Sequence, residues 1–183
     1  MSEYRVASRY AKSILELAIE QKSLEAVLSD MKAFANVVAN SKELVLLLTS
    51  PIINGDKKLS VIKSVFEKQF TPITIKFFEI IIRKKREKYL AAIADGFIEQ
   101  YMVLNNMANA TVKSAVQLSD DVLNEIKGHI ESQTGKKINL KATVSPDLIG
   151  GVVVQVGDKL FDASISGKLS KLKQELLNSY ISK

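Results

Sequence analysis

The apolar residues of this chain change period part-way along, and that change limits the possible folds more than any single motif. Up to about residue 107 they recur at steps of three and four; beyond it stretches of period two alternate with two further helical stretches. The first pattern buries one stripe of each helix, and the second makes pleated strands. The expectation is α+β overall: an N-terminal all-α six-helix bundle over 1–107 and a small C-terminal α+β domain over 108–183.

Each helix can be placed from its stripe and its punctuation. Ala7, Tyr10, Ala11, Ile14, Leu17 and Ala18 define one from about 4 to 20. Ser23 is placed to cap a second, carrying Leu24, Val27, Leu28, Met31 and Phe34, and Ser41 to cap a short third that stops near Pro51. Asn54-Gly55 reads as a turn before a fourth, with Leu59, Ile62, Val65 and Phe66. Thr71-Pro72 opens the fifth, since proline suits a first helical position. The sixth is expected from about Glu87 to Met107 along Leu90, Ile93, Phe97, Tyr101 and Leu104.

Beyond Asn105-Asn106-Met107-Ala108-Asn109 the residues of 110–116 and 138–144 read as strands, with a helix opening at Ser119-Asp120 between them and ending at Gly135. Val152 to Val156 is an unbroken apolar run, as for a strand covered on both faces. Gly157-Asp158 turns it back, and a last helix starts near Asp162–Ser164 with Ile165, Leu169, Leu172, Leu176 and Leu177.

Composition removes several kinds of chemistry. There is no cysteine and one histidine, His129, so disulfides, thiolate nucleophiles and multi-histidine metal sites are excluded. His129 reads as a surface residue. No run of about 18 apolar residues is present to span a bilayer. From Met1-Ser2-Glu3-Tyr4-Arg5 the chain enters a helical pattern at once, which is not that of a signal or transit peptide. The net charge of +6 is spread, with 16 basic and 12 acidic residues before Asn109 and 10 and 8 from there on. It favours acidic partners or an anionic surface without forming a nucleic-acid tail.

The remaining candidates are weak as catalytic groups. Gly150-Gly151 leads into a strand and lacks the lysine and opening helix of a phosphate loop, so it reads as close backbone packing or a bulge. Asp147, Asp158 and Asp162 have separate turn and cap roles rather than forming a metal site. Arg83-Lys84-Lys85-Arg86 with Lys88 is the densest basic cluster and suits a solvated helix C-terminus or a partner-facing charge. The fifth helix is apolar all round through Ile73, Ile75, Phe77, Phe78, Ile80, Ile81 and Ile82. Such a helix is central in its domain or has one face occupied by a partner. Ala7, Ala11 and Ala18 would let another helix approach the first closely, so the two could line a groove for an amphipathic helix.

In this order the segments resemble the δ subunit of F-type ATP synthases, the bacterial relative of the oligomycin-sensitivity-conferring protein. The resemblance rests on Ala7-Ser8-Arg9-Tyr10-Ala11-Lys12-Ser13-Ile14-Leu15, on Arg86 followed by Leu90, Ile93, Phe97 and Tyr101, and on Gly150-Gly151-Val152 through Asp162-Ala163-Ser164-Ile165. Two departures are Asn105-Asn106-Met107, where the family often has glycine, and the unusually basic Arg83–Arg86 run. The resemblance implies a non-catalytic stator subunit without cofactor or metal, peripheral on the cytoplasmic face of the bacterial cell membrane and associated with it only through the complex. Its first domain would bind N-terminal segments of α subunits through the first and fifth helices, and its second the C-terminal ends of b subunits. It would thereby couple proton flow to ATP synthesis. The implied α-binding residues are Ala7, Tyr10, Ala11, Ile14, Phe77, Phe78 and Ile81. Arg86, Gly150, Gly151, Asp162 and Ser164 are implied to shape the fold. A basic RNA- or ribosome-associated helical protein is the alternative reading. The second domain, small for an independent core, is expected to be the more mobile.

Overall fold

The computed structural model describes residues 3–157 and 159–181; Met1, Ser2, Asp158 and the Leu176 side chain, which the sequence reading uses, fall outside the described residues. Two units separate between Leu104 and Asn105. The first comprises α1 (Glu3–Glu20), α2 (Leu24–Asn40), α3 (Lys42–Thr49), α4 (Gly55–Phe66), α5 (Pro72–Arg83) and α6 (Leu90–Leu104). A 3₁₀ turn, Glu87–Tyr89, precedes α6. Helix ends follow local chemistry. Ser41 Oγ accepts from Leu44 N at 3.2 Å, and Thr71 caps α5 with Pro72 at its start. Ser23 stands at the N-cap of α2 without a side-chain cap bond.

The bundle core runs through every helix. Phe34 of α2 meets Phe66 of α4 at 5.6 Å and Phe78 of α5 at 4.7 Å between centroids, and Phe70 stacks on Phe66 at 4.6 Å. Aromatic pairs of this kind add to the burial of their area. Two buried polar groups join the helices. Asp30 Oδ2 accepts from Thr71 N, Thr71 Oγ1 and Thr74 Oγ1, each at 2.8 Å, and so ties α2 to the start of α5. Lys58 of α4, its side chain only 2% exposed, donates to the α3 carbonyl of Leu48 at 3.1 Å and to the Ser50 carbonyl at 2.7 Å. It also pairs with Glu87 Oε1 at 2.7 Å. One lysine thereby satisfies carbonyls left open at the end of α3 and neutralises a half-buried carboxylate.

The second unit is a four-stranded sheet in the order β2-β1-β3-β4, from β1 (Met107–Ser114), β2 (Lys137–Val144), β3 (Val152–Val156) and β4 (Lys159–Asp162). β1 and β2 are parallel, joined by the crossover helix α7 (Asp120–Thr134), and the other pairs are antiparallel. Gly135, with φ 65°, closes α7 as a left-handed cap. The last helix is α8 (Ile165–Ile181).

Three expectations are corrected. The sixth helix does not reach Met107, because β1 begins there and pairs Met107 with Lys137 and Ala108 with Ile138. The seam accordingly lies at Leu104–Asn105, three residues earlier than expected. β3 is half-buried at its valines and exposed at Gln155, not covered on both faces. A single helix, α7, lies across a sheet too wide for it. Four strands about 4.8 Å apart outspan one helix about 10 Å across, so part of β3 and β4 stays open.

Candidate docking surfaces

The two rods expected to form a groove in the bundle are α1 and α5. Ala7, Ala11, Ile14, Phe77, Phe78 and Ile81 are buried within their own unit. Tyr10 is half-buried, with the Arg86 guanidinium 5.9 Å from its ring centroid. Six of the seven expected contact residues thus pack inward within the unit, and Tyr10 is packed against them in part. The alanines of α1 do bring a helix close, but it is α6 of the same chain: a Cβ on Gly96 would stand 3.4 Å from the Ala11 Cβ. Gln100 of α6 fixes the register by donating to the Ser8 carbonyl at 2.9 Å. α5 is apolar all round because α2, α4 and the 3₁₀ turn pack against it. The large apolar side chains that these rods leave open are Tyr4, Leu17 and Ile19 on α1 and Ile80 on α5, the last 51% exposed. A depression of about 460 Å³ between α1 and α6 adds Val103 to Tyr4 along its lining.

The basic run at the end of α5 divides into separate tasks. Arg83 pairs with Glu79 at 2.5 Å, Arg86 lies over Tyr10, and Lys88 sits 4.8 Å from the Tyr89 ring centroid. Lys84 and Lys85 are exposed, and Lys85 holds φ 55° at the end of the helix. The Tyr10 partner was not legible from spacing, since it lies 76 residues before Arg86 in the chain. The Lys58–Glu87 pair was also missed. A lysine spaced like a surface residue gives no signal that a distant carboxylate will cover it.

In the second unit the residues carrying the resemblance form one junction. Asp162 Oδ1 accepts from Ser164 N at 2.8 Å and from Ser164 Oγ at 2.6 Å, and Ser164 Oγ in turn accepts from Gly167 N at 3.0 Å. The two Ser164 donors hold the Asp162 carboxyl below its usual range. Gly151 has φ 75°, and a Cβ there would run into the Ala163 carbonyl. A Cβ on Gly150 would come within 2.6 Å of Ile165 Cδ1. The glycine pair therefore serves close packing, which sets the direction in which α8 leaves the sheet.

That direction leaves two apolar surfaces open. One is a groove of about 630 Å³ between α7 and the sheet, floored by Val152, Val154, Val156 and Phe161 and edged by Ile126 and His129. His129 is exposed, within 3.1 Å of Gln133 Nε2. The other is the stripe of α8: Ile165, Leu169, Leu172 and Leu177, all about half exposed. Among the described residues no cluster of His, Asp and Glu is placed to hold a metal, and no helix is long and apolar enough to cross a membrane.

Comparison with known proteins finds one family along nearly the whole chain. Residues 6–176 match the profile of the ATP synthase delta (OSCP) subunit. The ATP synthase subunit delta of Chlorobaculum tepidum is 38% identical over 177 residues, 97% of this chain and 98% of that one. That of Christiangramia forsetii is 38% identical over 180 residues, covering 98% and 97%. Among solved structures, a chain of the Toxoplasma gondii mitochondrial ATP synthase hexamer shares the fold. Its TM-score is 0.71 at 24% identity, over 93% of this chain and 97% of that one.

Proposed function

The chain belongs to the ATP synthase delta (OSCP) subunit family, and from that premise we propose that it is a stator link. It holds the catalytic head to the peripheral stalk, so that proton flow through the membrane sector is coupled to ATP synthesis. It contributes no catalytic group of its own. The RNA-associated alternative gains no support from any relative.

The observation that carries this reading is the presence of open apolar helix surface on each of two separate units. A protein that transmits torque needs two attachment points and slow release from each. The bundle takes the N-terminal segment of an α subunit along the side chains that α1 and α5 leave open, Leu17 and Ile80 among them. The second unit takes the C-terminal end of the b subunit. The protein is thereby a peripheral component on the cytoplasmic side, held at the membrane through the complex.

The test is a pair of titrations of the full chain, one with a synthetic N-terminal segment of the α subunit encoded with it and one with the soluble C-terminal part of the b subunit. Calorimetry should show both binding at micromolar concentration or tighter, without mutual exclusion. Competition between the two ligands, or binding of neither, would refute the link.

A further inference from the structure

The second unit contains a backbone conformation that its sequence does not favour. Ile149 ends the short turn Pro146–Leu148 with φ 65° and ψ −40°. Gly150 N donates back to the Leu148 carbonyl at 2.6 Å, which closes a three-residue γ-turn around Ile149. A β-branched residue is a true outlier in this region, where glycine is at ease. The Ile149 side chain returns little to its own fold, being 66% exposed. Both facts point the same way. The chain keeps a bulky apolar side chain at an apex where glycine would be easier, and then leaves that side chain in solvent.

Its neighbours give the apex a context. Gly150, the next residue, abuts Ile165 at the start of α8, and α8 packs against the Pro146–Leu148 turn. From Ile165 the stripe continues through Leu169 and Leu172, four and seven residues on, along one face of the helix. The charged side chains described on α8 are Lys168, Lys171 and Lys173, all exposed. They outnumber the two exposed acids described nearby, Asp147 beside the turn and Asp162 just before α8.

We propose that the strained turn exists to present Ile149 as an anchor which, with Ile165, Leu169 and Leu172, seats an amphipathic helix with acidic flanks: the end of the b subunit. The choice of b rests on the stator reading above; the helical form and acidic flanks follow from the stripe and the lysines. Strain is retained at the apex because the bound helix, not the free unit, uses the side chain.

The experiment is a comparison of Ile149→Gly with the unchanged full chain, titrated with the soluble C-terminal part of the b subunit and melted in parallel. Glycine accepts the turn, so the thermal midpoint of the variant should hold or rise. Its affinity for b should fall about ten-fold, the loss expected for one buried aliphatic anchor. Leu169→Ala should weaken the same binding, and added salt should weaken it in the unchanged chain. If the unchanged chain binds b and Ile149→Gly binds equally well, the anchor is wrong while the stator reading stands. No binding by the unchanged chain would remove both. A midpoint several degrees lower for Ile149→Gly would show the side chain packing within its own unit, and overturn the proposal. Self-association of the free chain that Ile149→Gly abolishes would assign the patch to a second copy instead.

Discussion

The bundle and the sheet unit are built on opposite terms. Twenty-three buried hydrophobic side chains make one core through the six helices, fastened by Asp30 and Lys58. The sheet unit has a buried cluster of Ala110, Ile130 and Ile138, with Val112 also enclosed. The other apolar side chains described on β3, β4 and α8 face solvent in whole or part. At about 25 cal/mol per Å² of buried apolar surface, a core of that size supports little stability alone. The bundle is complete as it stands and offers a few exposed side chains. The other unit is left unfinished on the surfaces proposed to meet a partner, and binding would supply the missing layer.

The largest test of the contrast is a pair of adjacent substitutions on α5. Ile81→Asp places an unpaired carboxylate in the fully enclosed core and should cost the bundle about 4 kcal/mol or more, enough to unfold it. Ile80→Asp, on the open side, should leave the far-UV helix signal intact and weaken only α-segment binding. Equal loss of helix from both would mean that the two faces do not differ.

Glu87→Ala comes next. It leaves the Lys58 ammonium buried against two carbonyls without its counter-charge, at a cost of about 3 kcal/mol in denaturant titration. The loss should appear in the bundle transition and leave the sheet unit untouched. Gly151→Ala is the reciprocal probe. Its positive φ and the Ala163 carbonyl against the new methyl should destabilise the sheet unit by about 2 kcal/mol, with the bundle unchanged. Hydrogen exchange by residue would resolve both. A single shared transition for either variant would show that the units unfold together.

Smaller effects follow from titration, with opposite signs in the two units. Tyr101 Oη donates to Glu25 Oε1 at 2.6 Å; that bond, then burial and the glutamate charge, hold the phenol above its ordinary pKa. Its contribution is therefore present below about pH 10 and lost as pH rises through the raised value, which loosens α6 from α2. The Asp162 carboxyl is held low by Ser164, so its contribution is present above about pH 4 and lost as pH falls through the depressed value. NMR titration should show the bundle perturbed first at the alkaline end and the α8 junction at the acid end. Asp162→Asn should remove the acid response.

Much of this was readable in advance where the cause is local. Thr71-Pro72, Ser41 and Gly135 act on their own few residues, so their helix ends fell where the sequence placed them. The close approach behind Gly150-Gly151 was likewise expected. The burial of the groove residues within their own unit is something spacing cannot give. A stripe of alanines on α1 says that some helix comes near, but not whether it belongs to the same chain, and here α6 fills that place. Ile149 gave no signal at all, because an isoleucine after leucine and before glycine reads as an ordinary apolar residue.

What the order of residues determined by itself is the class of object: two units, one helical and one mixed, with neither cysteine nor paired histidines for metal or thiol chemistry. Periodicity and composition are sums over neighbours, and neighbours suffice for them. Only the tertiary structure decided which apolar faces were consumed internally and which were left over. That is a matter of subtraction between surfaces far apart in the chain: α6 covers the alanines of α1, Glu87 covers Lys58, and nothing described in the unit covers the stripe of α8.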